Sequence, residues 1–345
     1  TMDKKLNEVW HFKVLLDHKM YEVFLDQNKI FRFKPMYFHY VSVKTKVYER
    51  DDADPPEKVF KTYTLDEMTS SGILCNKYFK NSPAKGVKEA FSSRHEFFYE
   101  PDDDRFGQVS MFTHSTNHVL WFKGLANAKK WYGPQILLIP YNENHGNNVE
   151  AYYQAGTKTR NPEINLGKGD QKLLTNLRID GEPVQHEVGH HVFYRSVKKM
   201  EGESAVLHEG VADLFVMYHT KNPCIAEYIC KSKGACISSN KCLRSADNIY
   251  KLQSVNLPKA AHTRSQLISG MFWDIGKIIG HEKAADILYK AVDFFPKTCN
   301  YADFLFGFFK ASELLYQKEK CSEMLKVVKD RGFEEAITSK GISCS

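Results

Sequence analysis

The stretch PVQHEVGHHVFYRSVK, residues 183–198, decides how the rest of the chain reads. His186, Glu187 and His190 form an H-E-x-x-H pattern. On an α-helix, positions i and i+4 lie on one face, one turn apart. Two imidazoles placed in this way can bind one metal ion, with Glu187 beside them and within reach of a metal-bound water. Pro183 suits a first helical turn, where its missing N–H costs nothing. With 14 His in 345 residues, chance seldom builds this spacing. The competing reading is a polar helix face that carries two histidines by accident.

A zinc ion needs a third protein ligand, and catalysis needs a fourth position left for water. The next segment, ESAVLHEGVADLFVMYH (203–219), has Val206, Leu207, Val211, Leu214 and Phe215 at helical spacing, so it reads as a second helix. Glu209 and Asp213 share one of its faces. Glu209 can reach the metal, while Asp213 accepts a hydrogen bond from the far ring nitrogen of a liganding histidine and fixes its tautomer. A solvated carboxylate is the alternative for Glu209, and the apolar character of the segment argues against it. The expected ligands of one catalytic zinc are therefore His186, His190 and Glu209.

HEVGHH followed by HEGVADLF resembles the gluzincin metallopeptidases, in particular the thermolysin and fungalysin group. LRSAD (243–247) is similar to the family's Leu-Arg-Ser segment, and AAHTRSQLISGMFWDIG (260–276) to the segment that carries its transition-state histidine. DRGF (330–333) resembles the end of the family's last helix. FGQVSMF (106–112) and NNVEAYYQAG (147–156) match the weaker strand patterns before the active site. The likeness spans residues 60–335 and is most specific between 180 and 276.

The resemblance implies an α+β, thermolysin-like two-lobe fold: a β-rich N-terminal lobe, the zinc helix at the cleft floor and an α-helical C-terminal lobe. It implies an endopeptidase that hydrolyses internal peptide bonds with a zinc-activated water and Glu187 as general base. His262 would stabilise the oxyanion and Arg244 would hold a substrate carbonyl. Leu243 would line the pocket for the side chain after the cut bond. Ala151 and Tyr152 would sit on the edge strand that an extended substrate joins.

Three departures qualify the likeness. Glu150 stands where the family has a substrate-binding asparagine, and a carboxylate cannot copy an amide's donor. The family's second oxyanion donor, a tyrosine about three turns after the second zinc histidine, has no counterpart, and Tyr194 lies only one turn beyond His190. After the third ligand the chain runs LFVMYHTKNP without calcium-binding acidic residues, which speaks against a calcium requirement. Two alternatives stand beside the endopeptidase. One is a gluzincin aminopeptidase, against which the absence of a G-x-M-E-N segment counts. The other is a weakly active binding or adhesion protein that keeps the fold, against which the retention of Glu187 counts.

The remaining chain bounds these readings. A hydrophobic content of 42% and a charged content of 26% are those of an ordinary globular protein. A formal charge of +6 carried by scattered lysines suggests no nucleic-acid partner. No apolar run is long enough to insert into a membrane. A polypeptide substrate and a monomer are expected. Thr1-Met2-Asp3 does not open a positive-then-apolar leader. Of the eight cysteines, Cys224, Cys230, Cys236 and Cys242 recur every six residues, a spacing unlike zinc ribbons. Disulfides that staple an insertion, and with them a secreted or periplasmic location, are expected.

Residues 6–48 alternate apolar and polar runs and read as a β-meander with a turn at DQNK (26–29), similar in cadence to the last strands of the family's propeptides. RDDADPPEK (50–58) reads as a loop or linker. The division expected is an N-terminal β-rich segment at 1–58, a catalytic lobe at 59–200 and a helical lobe at 201–345. EFFYEPDDDRFG (96–107) reads as turns, 114–133 as a helix ending at Gly133, QILLIPY (135–141) as a strand and NPEINLGKGD (161–170) as loop. His114 and His118 are also four apart, but no carboxylate partner is evident, so a second metal site is not expected there. Segments 264–280 and beyond read as successive helices.

Overall fold

A computed structural model describes residues 10–16, 19–26, 29–35, 40–50, 58–125, 133–140, 150–170, 172, 174–229, 242–254 and 257–344. The chain forms two lobes, a β-rich N-terminal one and an α-helical C-terminal one, with the H-E-x-x-H residues in a helix.

Strands β1 (Trp10–Leu16), β2 (Lys19–Asp26) and β3 (Lys29–Pro35) pair antiparallel in sequence order, with Asp26 opposite Lys29 across the expected hairpin. The meander stops there. β4 (Tyr40–Arg50) pairs instead with β5 (Lys58–Thr69), with Arg50 facing Lys58, and residues 51–57 of the expected loop or linker lie outside the described residues. Val43, Thr45 and Val47 of β4 are buried, the period-2 signature of a half-buried strand.

A four-stranded sheet borders the cleft with one edge. Its order is β6 (Phe79–Asn81), β8 (Ile136–Pro140), β10 (Glu163–Leu166), β9 (Ala151–Gln154), and β7 (Glu96–Phe97) belongs to the hairpin sheet. β9 is an edge strand and runs antiparallel to β10. The loop reading of 161–170 is corrected by β10. Four residues flanked by Pro162 and Gly167, with Asn165 buried in the middle, carry too little pattern to announce a strand.

Helix α1 (Asp104–Gly124) corrects two further readings. It begins ten residues before His114 and ends at Gly124, and it contains FGQVSMF, which had a strand pattern. The acidic turn before it supplies the cap: the Asp103 carboxylate accepts from the Arg105 N–H at 2.8 Å. Gln108, Ser110, Thr113, Ser115 and His118 are buried along with Phe106, Val109 and Phe112. A helix buried on most sides shows no apolar stripe, so periodicity underestimates it.

Helices α2 (Gly181–Phe193) and α3 (Glu203–Thr220) pack together at the junction of the lobes. The ribbon β11 (Cys224–Ile225) and β12 (Arg244–Ser245) follows, closed by the Cys224–Cys242 disulfide. Cys230 and Cys236 lie outside the described residues. A second disulfide, Cys321–Cys344, ties down the C-terminus, and Cys75 and Cys299 are free thiols. The helical lobe continues with α4 (Ala261–Arg264), α5 (Gln266–Ile279), α6 (His281–Ala291), α7 (Tyr301–Tyr316), α8 (Cys321–Asp330) and α9 (Glu334–Ser339). Phe193, Phe215, Phe272, Phe304 and Phe308 fill its interior. Among the described residues, no helix is long and apolar enough to cross a membrane.

Candidate metal centre

The centre depends on how closely α2 approaches α3. Gly189, inside the H-E-x-x-H helix, faces Ala212, and a Cβ there would stand 2.9 Å from the Ala212 Cα. Any side chain at 189 would push the helices apart and withdraw Glu209 from the histidines. Asp180 caps α2, accepting from the Glu182 N–H at 3.0 Å.

His186, Glu187 and His190 form a buried group whose ligand atoms all lie within 4.8 Å of one another, a cluster able to chelate a metal ion. Glu209 of α3 closes it, with Oε2 at 3.3 Å from His186 Nε2 and Oε1 at 3.5 Å from His190 Nε2. Glu209 Oε2 is buried and has no hydrogen-bond donor, and Glu187 Oε2 shares that state. A buried carboxylate oxygen without a donor is costly unless a cation meets it. Atoms bound to one tetrahedral ion at ~2.0–2.2 Å stand roughly 3.3–3.6 Å apart. Two nitrogens and one carboxylate therefore fit zinc in chemistry and in spacing.

Behind His186, Asp213 Oδ1 lies 2.8 Å from Nδ1. The same carboxylate receives Arg244 in a two-point pair, from Nε at 2.6 Å and Nη2 at 2.7 Å. Burial disfavours charge on Asp213, but Arg244 and His186 together hold its carboxyl below the usual range. For His186 the order is the same: burial opposes protonation, and Asp213 overrides it, raising the imidazole to about 10. Burial pushes Glu187 up to about 7 despite the nearby His186, into the range where a carboxylate can accept a proton near neutrality.

These groups open into a cleft of about 460 Å³. Its walls include Leu174, Leu177, Ile225 and Leu243 on the apolar side and the β9 edge, Ala151 and Tyr152, on the other. Arg244 and His262 also line it. His262 sits on α4, is 70% exposed, and places Nε2 3.5 Å from Glu209 Oε1. The ten residues singled out in the sequence thus converge on one cleft and its buried support. Tyr194 does not: it lines a separate cavity with His191 and Arg195. Asn147 and Asn148, the asparagines that precede Glu150 in the sequence, lie outside the described residues.

Sequence reasoning missed the pairing of His118 with His219, whose Nδ1 atoms are 2.9 Å apart. It also missed the contact of the Tyr153 phenol with His191 Nδ1 at 3.0 Å. The doubled histidine of HEVGHH was the available signal for the second. No local signal exists for the first, whose partners are 101 residues apart. A cavity of about 670 Å³ opens near His219 and Gln185 and is larger than the cleft, but none of the ligand atoms reaches it.

No protein-family model matches the sequence, and a search of curated proteins finds no match. Among solved structures, the chain is similar to the precursor of protealysin, a metalloproteinase from Serratia proteamaculans. The match has a TM-score of 0.53 at 16% identity and covers 77% of this chain and 87% of that one. At that identity the likeness is one of fold alone.

Proposed function

We propose that the protein is a zinc-dependent endopeptidase. The observation that carries this reading is Glu187, a buried carboxylate standing next to two chelating imidazoles in an open cleft. A purely structural metal site has no use for such a base. The fold likeness to a metalloproteinase precursor supports the reading.

His186, His190 and Glu209 would hold the zinc, and Asp213 would orient the His186 ring through its Nδ1. When bound, zinc supplies Lewis acidity that polarises a carbonyl and acidifies water. An extended peptide would lie along the free edge of β9, pairing with the backbone at Ala151 and Tyr152. Glu187 would take the proton of the attacking water and pass it to the leaving amine. Negative charge grows on the former carbonyl oxygen, and His262, at the cleft mouth, would donate to it. Asp213 takes the Nε N–H and one Nη2 N–H of Arg244, so the Nη1 N–H groups and the second one on Nη2 are those left for a substrate carbonyl. Leu243, beside the apolar wall, would receive the side chain that follows the cut bond. The disulfides support a secreted or periplasmic location.

The test is cleavage-site mapping in a mixed peptide library, with and without a chelator. Internal cuts abolished by chelation and restored by zinc are expected. Removal of terminal residues alone would favour the aminopeptidase alternative, and no cleavage would leave only a binding role.

A further inference from the structure

Tyr153 belongs to the edge strand β9, which packs against the metal-bearing helix α2, and it lines the same cleft as Glu187. Its phenol reaches His191 Nδ1 at 3.0 Å, with the two rings edge to face at 5.5 Å. Glu187 and His191 are four residues apart and so share one helix face. Burial pushes the phenol above its ordinary pKa, so it stays protonated and shares a hydrogen bond with the His191 ring. His191 has room for this because position 133 is glycine. Gly133 has φ of +106°, and a Cβ there would stand 3.2 Å from His191 Nε2.

On its other side Tyr153 is held in β9 opposite Ile164 of β10. β9 is only four residues long and is an edge, so the sheet alone restrains it weakly. Yet β9 is the strand on which an extended substrate would be laid. If it slides along α2, the substrate backbone moves relative to Glu187.

We propose that Tyr153 is a positioning residue, whose phenol, anchored on His191, locks the substrate-bearing edge strand against the zinc helix that carries Glu187. The proposal rests on the endopeptidase reading for its catalytic consequence. The brace itself does not depend on that reading. Held in this way, the base and the peptide edge keep one fixed separation, which is what an orientation effect requires. The phenol takes no part in the chemistry.

Three variants and two readouts test this. At full metal occupancy, Tyr153→Phe should lower kcat about tenfold and change KM by less than about twofold. His191→Ala should do the same, and the double variant should lose no more than either alone, because both remove one contact. His191→Gln, which keeps an acceptor, should recover part of the loss. Native kcat in Tyr153→Phe, or losses that multiply in the double variant, would overturn the proposal. The second readout needs no turnover. Amide exchange at residues 151–154 should quicken about tenfold in Tyr153→Phe and in His191→Ala. Unchanged exchange in both variants overturns the brace. Faster exchange in the variants, with a wild-type protein that cuts no peptide, overturns the peptidase reading and leaves the brace standing.

Discussion

Among the described residues, two pairs of histidines, buried except for the half-buried His219, have surroundings that give them opposite characters. His186 and His190 face Glu209, with Asp213 behind, and open to a cleft. His118 and His219 face each other, stacked on Trp121 at 5.2 and 5.0 Å, with Phe122 edge-on to His118. Burial drives His118 well below its ordinary pKa and His219 to about 4. In the first pair a carboxylate reverses that effect for His186. Burial alone makes an imidazole neutral and inert, whereas burial opposite carboxylates makes a place for a cation. Spacing is the weaker clue, since His114 and His118 are also four apart on one helix. His114 spends its Nε2 on the Tyr48 carbonyl at 3.0 Å.

The largest expected contrast is in metal binding. Glu209→Ala should remove zinc and reduce peptide hydrolysis to background, while His118→Gln should keep one zinc per chain and near-native turnover. Metal analysis of both variants decides it. Zinc lost from His118→Gln and retained in Glu209→Ala would exchange the roles of the two pairs.

His262 sharpens the comparison on the cleft side. It is the exposed imidazole closest to Glu209, and no tyrosine stands three turns beyond His190 to share its task. Loss of one oxyanion donor typically costs ~10²–10³ in kcat, and His262→Ala should fall in the upper half of that range with zinc content unchanged. Steady-state kinetics on a defined peptide checks this. Near-native kcat would remove His262 from the machinery.

The smallest effect concerns the inert pair and stability. Its folded pKa values lie below the unfolded value of about 6.5, so the unfolded chain binds more protons as pH falls. The stability these rings carry is complete above about pH 6.5 and is lost as pH falls towards the folded values. His219→Gln should flatten the pH dependence of unfolding between pH 6.5 and about 4 by roughly 1.4 kcal/mol per pH unit for each proton removed. Denaturant unfolding at several pH values measures it, and an unchanged slope would contradict the assignment.

How legible each pair was in the sequence follows from the same physics. The metal cluster lies on two sequential helices with strong patterns, and local spacing placed His186, Glu187, His190, Glu209 and Asp213 together. Arg244 and His262 came through family resemblance; geometry adds that Asp213 takes two of the Arg244 nitrogens. The His118–His219 pair was hidden because α1 is polar as well as buried and its partner lies on a distant helix. β10 was missed for want of length, and α1 was started late because its acidic cap resembles a turn. Tertiary burial decided these elements, and periodicity reports only one-sided burial.

The central claim is that Glu187 works as a base beside a chelated metal. It is tested most directly by the turnover of Glu187→Gln on an internally quenched peptide, with zinc stoichiometry measured on the same sample. Glutamine keeps the shape and cannot accept the proton, so zinc should remain at one per chain while the rate falls ~10²–10⁴-fold. A variant that holds its zinc and keeps more than about a tenth of the wild-type rate would contradict the account.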